Sequence, residues 1–203
     1  MGRLALPLLS PLGVILSGCV ATSLYSTTVP LSYKSMEQPA ATPAVRPCAA
    51  LSEFTVEDAR ESKDLGRRSL ERTPDINKPI ALEGDPAAWV RTGAQEQMRR
   101  AGLRTGVAGQ PALHMKVDQL TLSETVYVRA TFDGRVTMSA DLVPAGGTKA
   151  CWTARISGFS QNYGYAGSTE NYNETLNHAL DRALIQLLSS SDFSENLCGK
   201  CGQ

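Results

Sequence analysis

Between Leu113 and Leu142 apolar side chains recur at every second position, a period that only extended chain can bury on one face. Leu113, Met115 and Val117 alternate with His114, Lys116 and Asp118. The phase then slips by one residue to Leu120 and Leu122, which predicts a β-bulge. After Ser123-Glu124-Thr125 a second run keeps one phase from Val126, Val128, Ala130 and Phe132 to Val136, Met138, Ala140 and Leu142. Asp133-Gly134 invites a two-residue hairpin, but such a turn would continue the apolar face of one arm as Arg135, Thr137, Ser139 and Asp141. A single long strand over 126–142, bent at Gly134, keeps the apolar residues together. Ala145-Gly146-Gly147 is the better turn, leading to a strand with Trp152, Ala154 and Ile156 on one side.

Two helices flank this β-rich stretch. Asp85-Pro86 reads as an N-cap with proline at the first helical position, ahead of Trp89, Val90, Ala94, Met98 and Ala101, and Gly102 is placed to end the helix. Leu176, Ala179, Leu180, Ala183, Leu184, Leu187 and Leu188 follow helical spacing without a miss, with Asn171 and Glu174 as the expected cap. Upstream, Phe54 and Val56 alternate with Glu53, Thr55 and Glu57 as a short strand. The charged stretch containing Gly66, Pro74 and Pro79 reads as irregular. The expected fold is α+β, ordered β-α-β-β-β-α: an antiparallel or mixed four-stranded sheet with two helices packed on one face.

The N-terminus carries an address. Arg3 precedes a run from Leu4 to Leu16 that is apolar, short and broken by Pro7 and Pro11, the shape of a secretory signal rather than a membrane span. It closes on Leu16, Ser17, Gly18 and Cys19, which resembles a lipobox: the Cys19 thiol takes a diacylglycerol and cleavage follows before it. Two or three acyl chains on Cys19 hold a protein on its bilayer almost permanently, since each buried methylene contributes about 0.8 kcal/mol. Val20 follows, with no Asp there to retain the chain at an inner membrane, so the outer membrane, facing the periplasm, is the expected location. Residues 1–18 are thus a signal peptide. Residues 19–50, rich in Ala, Thr, Ser and Pro, read as lipidated cysteine and extended stalk. Residues 51–203 form a single domain.

The chain has 20 basic and 20 acidic residues, and loss of the signal removes only Arg3. That balance argues against nucleic acid or an anionic membrane surface as the main partner. Four cysteines remain after Cys19: Cys48, Cys151, Cys198 and Cys201. In an oxidising compartment an even number implies disulfides, and the topology gathers all four at one pole. Cys48 with Cys151 and Cys198 with Cys201 is the preferred pairing; linking the tail to Cys48 and Cys151 is the alternative. A four-thiolate zinc site has the right count in the wrong redox environment. Cys198-Gly199-Lys200-Cys201 lies beyond a helix C-terminus, where the dipole has the wrong sign for a reactive thiol.

No metal or cofactor is therefore expected, and no catalytic residue. His114 and His178 read as solvent-facing, and Asp58 with Arg60 as a salt bridge at a strand end. Gly-x-Ser-x-Gly, His-Glu-x-x-His and phosphate-loop patterns are absent from the sequence. Tyr163, Gly164 and Tyr165 with Tyr172 form the one loop suited to partner contact; the competing reading has the rings capping the helix stripe.

A lipobox, then Thr27-Thr28-Val29-Pro30-Leu31-Ser32-Tyr33, Asp58-Ala59-Arg60, Leu65-Gly66, a helix closing at Gly102, a very long strand and a final helix resemble the YajG-like lipoproteins of proteobacteria over most of the mature chain. The architecture is similar, more distantly, to the lipopolysaccharide-assembly lipoprotein LptE, to auxiliary lipoproteins of lipid-exporting ABC transporters, and to activators of peptidoglycan synthases. Those proteins bind a partner protein or an envelope glycolipid and none is an enzyme. The resemblance implies a membrane-anchored, non-catalytic binding or assembly factor for a membrane protein complex. The alternative is a carrier or sensor of an envelope glycolipid or cell-wall fragment. Oligomeric state is left open.

Overall fold

The computed structural model describes residues 27–37, 48–70 and 73–201; the lipobox, Leu16 to Cys19, lies outside them. In chain order the elements are β1 (Thr27–Pro30), β2 (Ala50–Leu51), β3 (Glu53–Asp58), β4 (Gly66–Leu70), β5 (Thr73–Glu83), α1 (Pro86–Arg100), β6 (Arg104–Thr105), β7 (Ala112–Val126), β8 (Ala130–Val143), β9 (Trp152–Gly164), α2 (Thr169–Leu188) and α3 (Ser191–Cys198). Seven strands form one mixed sheet in the order β1-β5-β4-β7-β8-β9. β3 lies beside the first half of β7, in the row that β4 continues along its second half. β2 and β6 make a separate parallel pair.

The α+β class holds, but the expected four-stranded sheet with two helices is corrected to seven strands and three helices among the described residues. β4 escapes a hydrophobicity pattern because the residue it buries most deeply is Arg68. β5 carries Pro74 and Pro79, both before Ile80, where pairing with β1 begins. Proline is tolerated there because, among the described residues, no strand pairs with β5 on that side before Ile80.

The expected strand over 126–142 is two strands. Val126 ends β7, Ala130 starts β8, and Tyr127-Val128-Arg129 turns between them, with the Tyr127 N–H donating to the Arg129 carbonyl at 3.1 Å. Ser123-Glu124-Thr125 belongs to β7. β8 does run straight through Asp133-Gly134, and the register shifts between Val117 and Gln119 where the phase slips. Gly134 and Gly158 both face α2, whose backbone comes close to the sheet there.

α1 starts where Asp85 accepts from the Ala87 N–H at 2.8 Å and is followed by Gly102 at φ +75°. α2 begins two to three residues before the expected cap: Ser168 accepts from the Asn171 N–H. Every member of its apolar stripe from Leu176 to Leu188 is buried against β8, β9 and α1. The close fit of α2 on β9 depends on Gly158, where a Cβ would sit 1.8 Å from the Ala179 carbonyl oxygen, a backbone atom that cannot swing aside. Gly158→Ala is expected to destabilise the protein by about 3 kcal/mol, read as a lowered denaturant midpoint.

The stalk boundary also moves. β1 joins the sheet edge, and the chain from Leu31 to Glu37 is strapped across α2 by its polar groups. Asn173 donates to the Pro30 carbonyl (2.9 Å) and accepts from the Ser32 N–H (3.0 Å); Asn177 donates to the Ser32 carbonyl (3.0 Å). The fully buried Asp181 accepts from the Tyr33 hydroxyl, the Met36 and Glu37 N–H groups and Gln97, all within 3.0 Å. Residues 27–37 are therefore part of the domain rather than of an extended stalk.

Candidate functional site

β7 changes partner half-way along one edge. β3 pairing ends where the Ala59 N–H donates to the Val117 carbonyl (3.1 Å), and β4 pairing begins where the Leu122 N–H donates to the Leu65 carbonyl (2.9 Å). Between these points the chain leaves the sheet, and the bulge in β7 faces the gap. A groove of about 770 Å³ results, with the 59–66 segment on one side, Asp118 to Thr121 on the other, and Ser139 and Arg155 from the neighbouring strands.

Arg60 lies along its floor with a side chain only 3% exposed. Nε and Nη2 donate to Asp58 at 2.8 and 3.0 Å, while Nη1 is buried with no hydrogen-bond partner among the described residues. Lys63 adds a third cationic contact to Asp58 at 3.0 Å. The Arg60 guanidinium, with Lys63 and a backbone N–H, holds the Asp58 carboxyl well below the usual carboxylate range. Across the groove Asp118 accepts from the Ser139 hydroxyl at 2.6 Å and pairs loosely with Arg155 at 3.9 Å. Glu61 and Asp64 also line the groove, so its charges are mixed in sign, and Arg60 Nη1 leaves hydrogen-bonding capacity to spare. That suits a polar peptide segment better than a bare ion.

A second feature stands at the end of the sheet. Tyr127, Val128, Tyr163 and Tyr165 are 55, 81, 63 and 87% exposed, four of the five large hydrophobic side chains that face solvent among the described residues. Val128 and Arg129 from the β7–β8 turn, with Tyr163 and Tyr165 from the end of β9, border a cleft of about 500 Å³. Tyr172, expected beside them, is fully buried instead. Its hydroxyl donates to Glu124 and accepts from Arg68 Nη2 (2.7 Å), and its ring packs edge-on against Phe132 at 5.2 Å between centroids. Burial, then the hydrogen bond to Glu124, raise the Tyr172 pKa. The loop is thus divided: Tyr163 and Tyr165 face outward, and Tyr172 is core.

The opposite end carries the cysteines. All four meet there in two disulfides, Cys48–Cys198 and Cys151–Cys201, with Cα separations of 5.6 and 5.8 Å. This corrects the preferred pairing of Cys48 with Cys151. The reason is α3, which brings Cys198 to Cys48, while the turn after it, closed by the Cys201 N–H on the Asn196 carbonyl (3.0 Å), delivers Cys201 to Cys151. His114 shares a 2.6 Å hydrogen bond with Thr55, and His178 lies 3.2 Å from Glu37. Among the described residues no group of three His, Cys, Asp or Glu side chains is placed to hold a metal ion, and no helix is long and apolar enough to cross a membrane.

No family description and no curated protein matches the chain. Among solved structures, protein XCC0632 from Xanthomonas campestris, of family DUF330, superposes with a TM-score of 0.47 at 11% sequence identity. The superposition covers 84% of this chain and 95% of that one.

Of the groove, the sequence displays two parts: the Asp58–Arg60 pair and the phase slip after Val117. What it does not display is that the two adjoin, because β3 and β7 lie far apart in the chain and pair in parallel. The sequence does not display Val128 as a surface residue, because it continues the alternating apolar run of Val126, Ala130 and Phe132.

Proposed function

We propose that this chain is a lipid-anchored, non-catalytic assembly factor of the bacterial envelope, a YajG-like lipoprotein held through acyl chains on Cys19 in the outer membrane and facing the periplasm. It grips a segment of a membrane protein in the groove between β3, β4 and β7. The observation that carries this reading is the groove itself: a polar cleft beside an exposed strand bulge, floored by a buried arginine with one donor nitrogen still unused. A buried donor without an acceptor costs about 1–3 kcal/mol, which a carbonyl or carboxylate brought to Nη1 would recover.

The filled interior favours this over the carrier reading. Leu113, Met115, Leu120, Leu122 and Met138 meet Leu176, Leu180 and Leu184 between sheet and helices at no more than 2% exposure, where an acyl-chain groove would have to lie. The long free edge of β9 is also not open for strand addition at its middle. Gln186 accepts from the Ser157 N–H (3.2 Å) and Arg182 donates to the Phe159 carbonyl (2.7 Å), which blocks that edge with α2 side chains.

A photo-crosslinking amino acid placed at Glu61 or at Gln119, both exposed, tests the reading in living cells. Both sites should yield one adduct of the same mass, containing a single membrane protein, and Arg99 on the outer face of α1 should yield none. Equal labelling from Arg99, or glycolipid recovered from the groove sites with no protein adduct, would overturn it.

A further inference from the structure

Four outward-facing tyrosine and valine side chains at one end of a domain with a well-filled core need an occupant, since contiguous apolar surface of this kind is uncommon on a free protein. They are also held firmly. The Tyr165 carbonyl accepts from Ser168 and Asn171 at the start of α2 (3.2 and 3.4 Å), and the Gly167 N–H donates to the buried Glu124 at 2.9 Å. Gly164 sits so close to Asn171 that a Cβ would fall 2.0 Å from its amide nitrogen. The tyrosines thus stand on a rigid base.

The strand register identifies what they face. Thr27 pairs with Ile80, Ile80 with Gly66, and Gly66 with Leu122, so the start of β1 lies level with Leu122. β1 runs antiparallel to β7, so Thr27, its first residue, is the end of β1 nearer to Val126 and the tyrosines. From Leu122 to the turn is five residues, about 17 Å at strand rise. Cys19 lies eight residues before Thr27, a tether that spans at most about 28 Å. A bilayer holding Cys19 is therefore within reach of the aromatic end, and the disulfide end points away from it.

We propose that Tyr127, Val128, Tyr163 and Tyr165 dip into the headgroup layer of the bilayer that Cys19 anchors. This rests on the lipid-anchor reading above. Tyrosine is suited to that layer, with an apolar ring and a hydroxyl that stays wet, and Arg129 at the turn supplies a cation for lipid phosphates. A lipid tether alone lets the domain tumble; a second contact fixes its direction. The groove, about six residues of β7 back from the turn, is then held roughly 20 Å above the bilayer surface, facing sideways.

The full acylated lipoprotein, reconstituted in phosphatidylethanolamine–phosphatidylglycerol vesicles containing dibrominated phosphatidylcholine, tests this with Tyr165→Trp and Val128→Trp. Both positions are more than 80% exposed, so the fold tolerates the change. Each new tryptophan should be quenched at least twofold by the brominated lipid. Wild type, whose Trp89 is buried in α1 and whose Trp152 lies near the disulfide end, should be unaffected. The mass of the N-terminal peptide from the same sample reports whether Cys19 carries acyl chains. Acylated protein with no extra quenching at 128 or 165 overturns the membrane contact alone. Shielding from acrylamide without bromine quenching also overturns it and places a second copy or another protein there. A Cys19 without acyl chains overturns the anchor, and the inference falls with it.

Discussion

Glu124→Ala is expected to lower the melting temperature by about 10 °C or more. The Glu124 carboxylate is fully buried between Arg68 on β4, Tyr172 on α2 and the Gly167 backbone before α2. Arg68, its side chain 3% exposed, spends Nη2 on the Thr27 and Tyr172 hydroxyls at 2.9 and 2.7 Å. One carboxylate therefore ties β1, β4, β7 and the start of α2 together. Removing it takes the Glu124 counter-charge from a buried guanidinium, and breaking a buried pair in this way costs about 3–5 kcal/mol, a large share of the roughly 5–15 kcal/mol that holds a domain folded. Tyr172→Phe removes one hydrogen bond and keeps the charge pair, so its loss should be near 1 kcal/mol. Thermal unfolding followed by circular dichroism ranks the two; equal effects would show that the ion pair is not the keystone.

Tyr172 of this network and Tyr33, bonded to Asp181, set an alkaline limit. Burial and the hydrogen bond to Asp181 push the Tyr33 pKa up to about 12, and burial and Glu124 raise Tyr172 as well. For groups raised in the folded state the stabilisation is complete below the unfolded tyrosine pKa, near 10. It is lost as pH rises from there through the folded values. Stability should fall above about pH 10, and Tyr33→Phe with Tyr172→Phe should flatten that fall.

Removing the Cys48–Cys198 disulfide has the second large effect. The bond spans a sequence separation of 150 residues, and Cys151–Cys201 spans 50. Chain-entropy arguments assign about 5 and 4 kcal/mol to loops of these sizes, and measured losses run about 2–5 kcal/mol. The double variant Cys48→Ser/Cys198→Ser should lose that range while keeping Cys151–Cys201. The single variant Cys48→Ser should do worse, because a free Cys198 lies three residues from Cys201 and competes for Cys151. Trypsin resolves the connectivity directly: it cuts after Lys200, between the two tail cysteines. The short Cys201 peptide should be recovered joined to Cys151, and the Cys198 peptide joined to Cys48. A Cys198–Cys201 link would reinstate the pairing that the sequence alone prefers.

These elements show what could be read from the chain and what could not. The helix stripe of α2, the Asp85 cap, the bulge after Val117 and the continuity of β8 through Gly134 are local patterns, and each appears in the structure where its residues place it. The β7–β8 turn was hidden by parity. A three-residue loop returns the chain with even-numbered positions still on one face, so Val126 opposes Ala130 and the alternation passes through Val128 unbroken. A two-residue turn would have reversed the face, which is why the register excludes Asp133-Gly134 yet says nothing against Tyr127–Arg129. β4 was hidden because its buried residue is charged, and Arg68 becomes a core residue only beside Glu124, far along the chain. α3, one turn longer than a capping motif, was too short to announce itself, and it decides the disulfide pairing. For the candidate site, Asp58 and Arg60 were visible as a pair and Tyr163 and Tyr165 as a loop. The groove and the place of the tyrosines relative to Thr27 follow from strand register, which no local pattern encodes.

The intact mass of the native protein extracted from cell membranes decides whether the domain works on a membrane through a lipidated Cys19. The expected species begins at Cys19, carries acyl chains on that residue and holds two disulfides. A membrane-free chain that begins elsewhere, or one that begins at Cys19 without acyl groups, would contradict it.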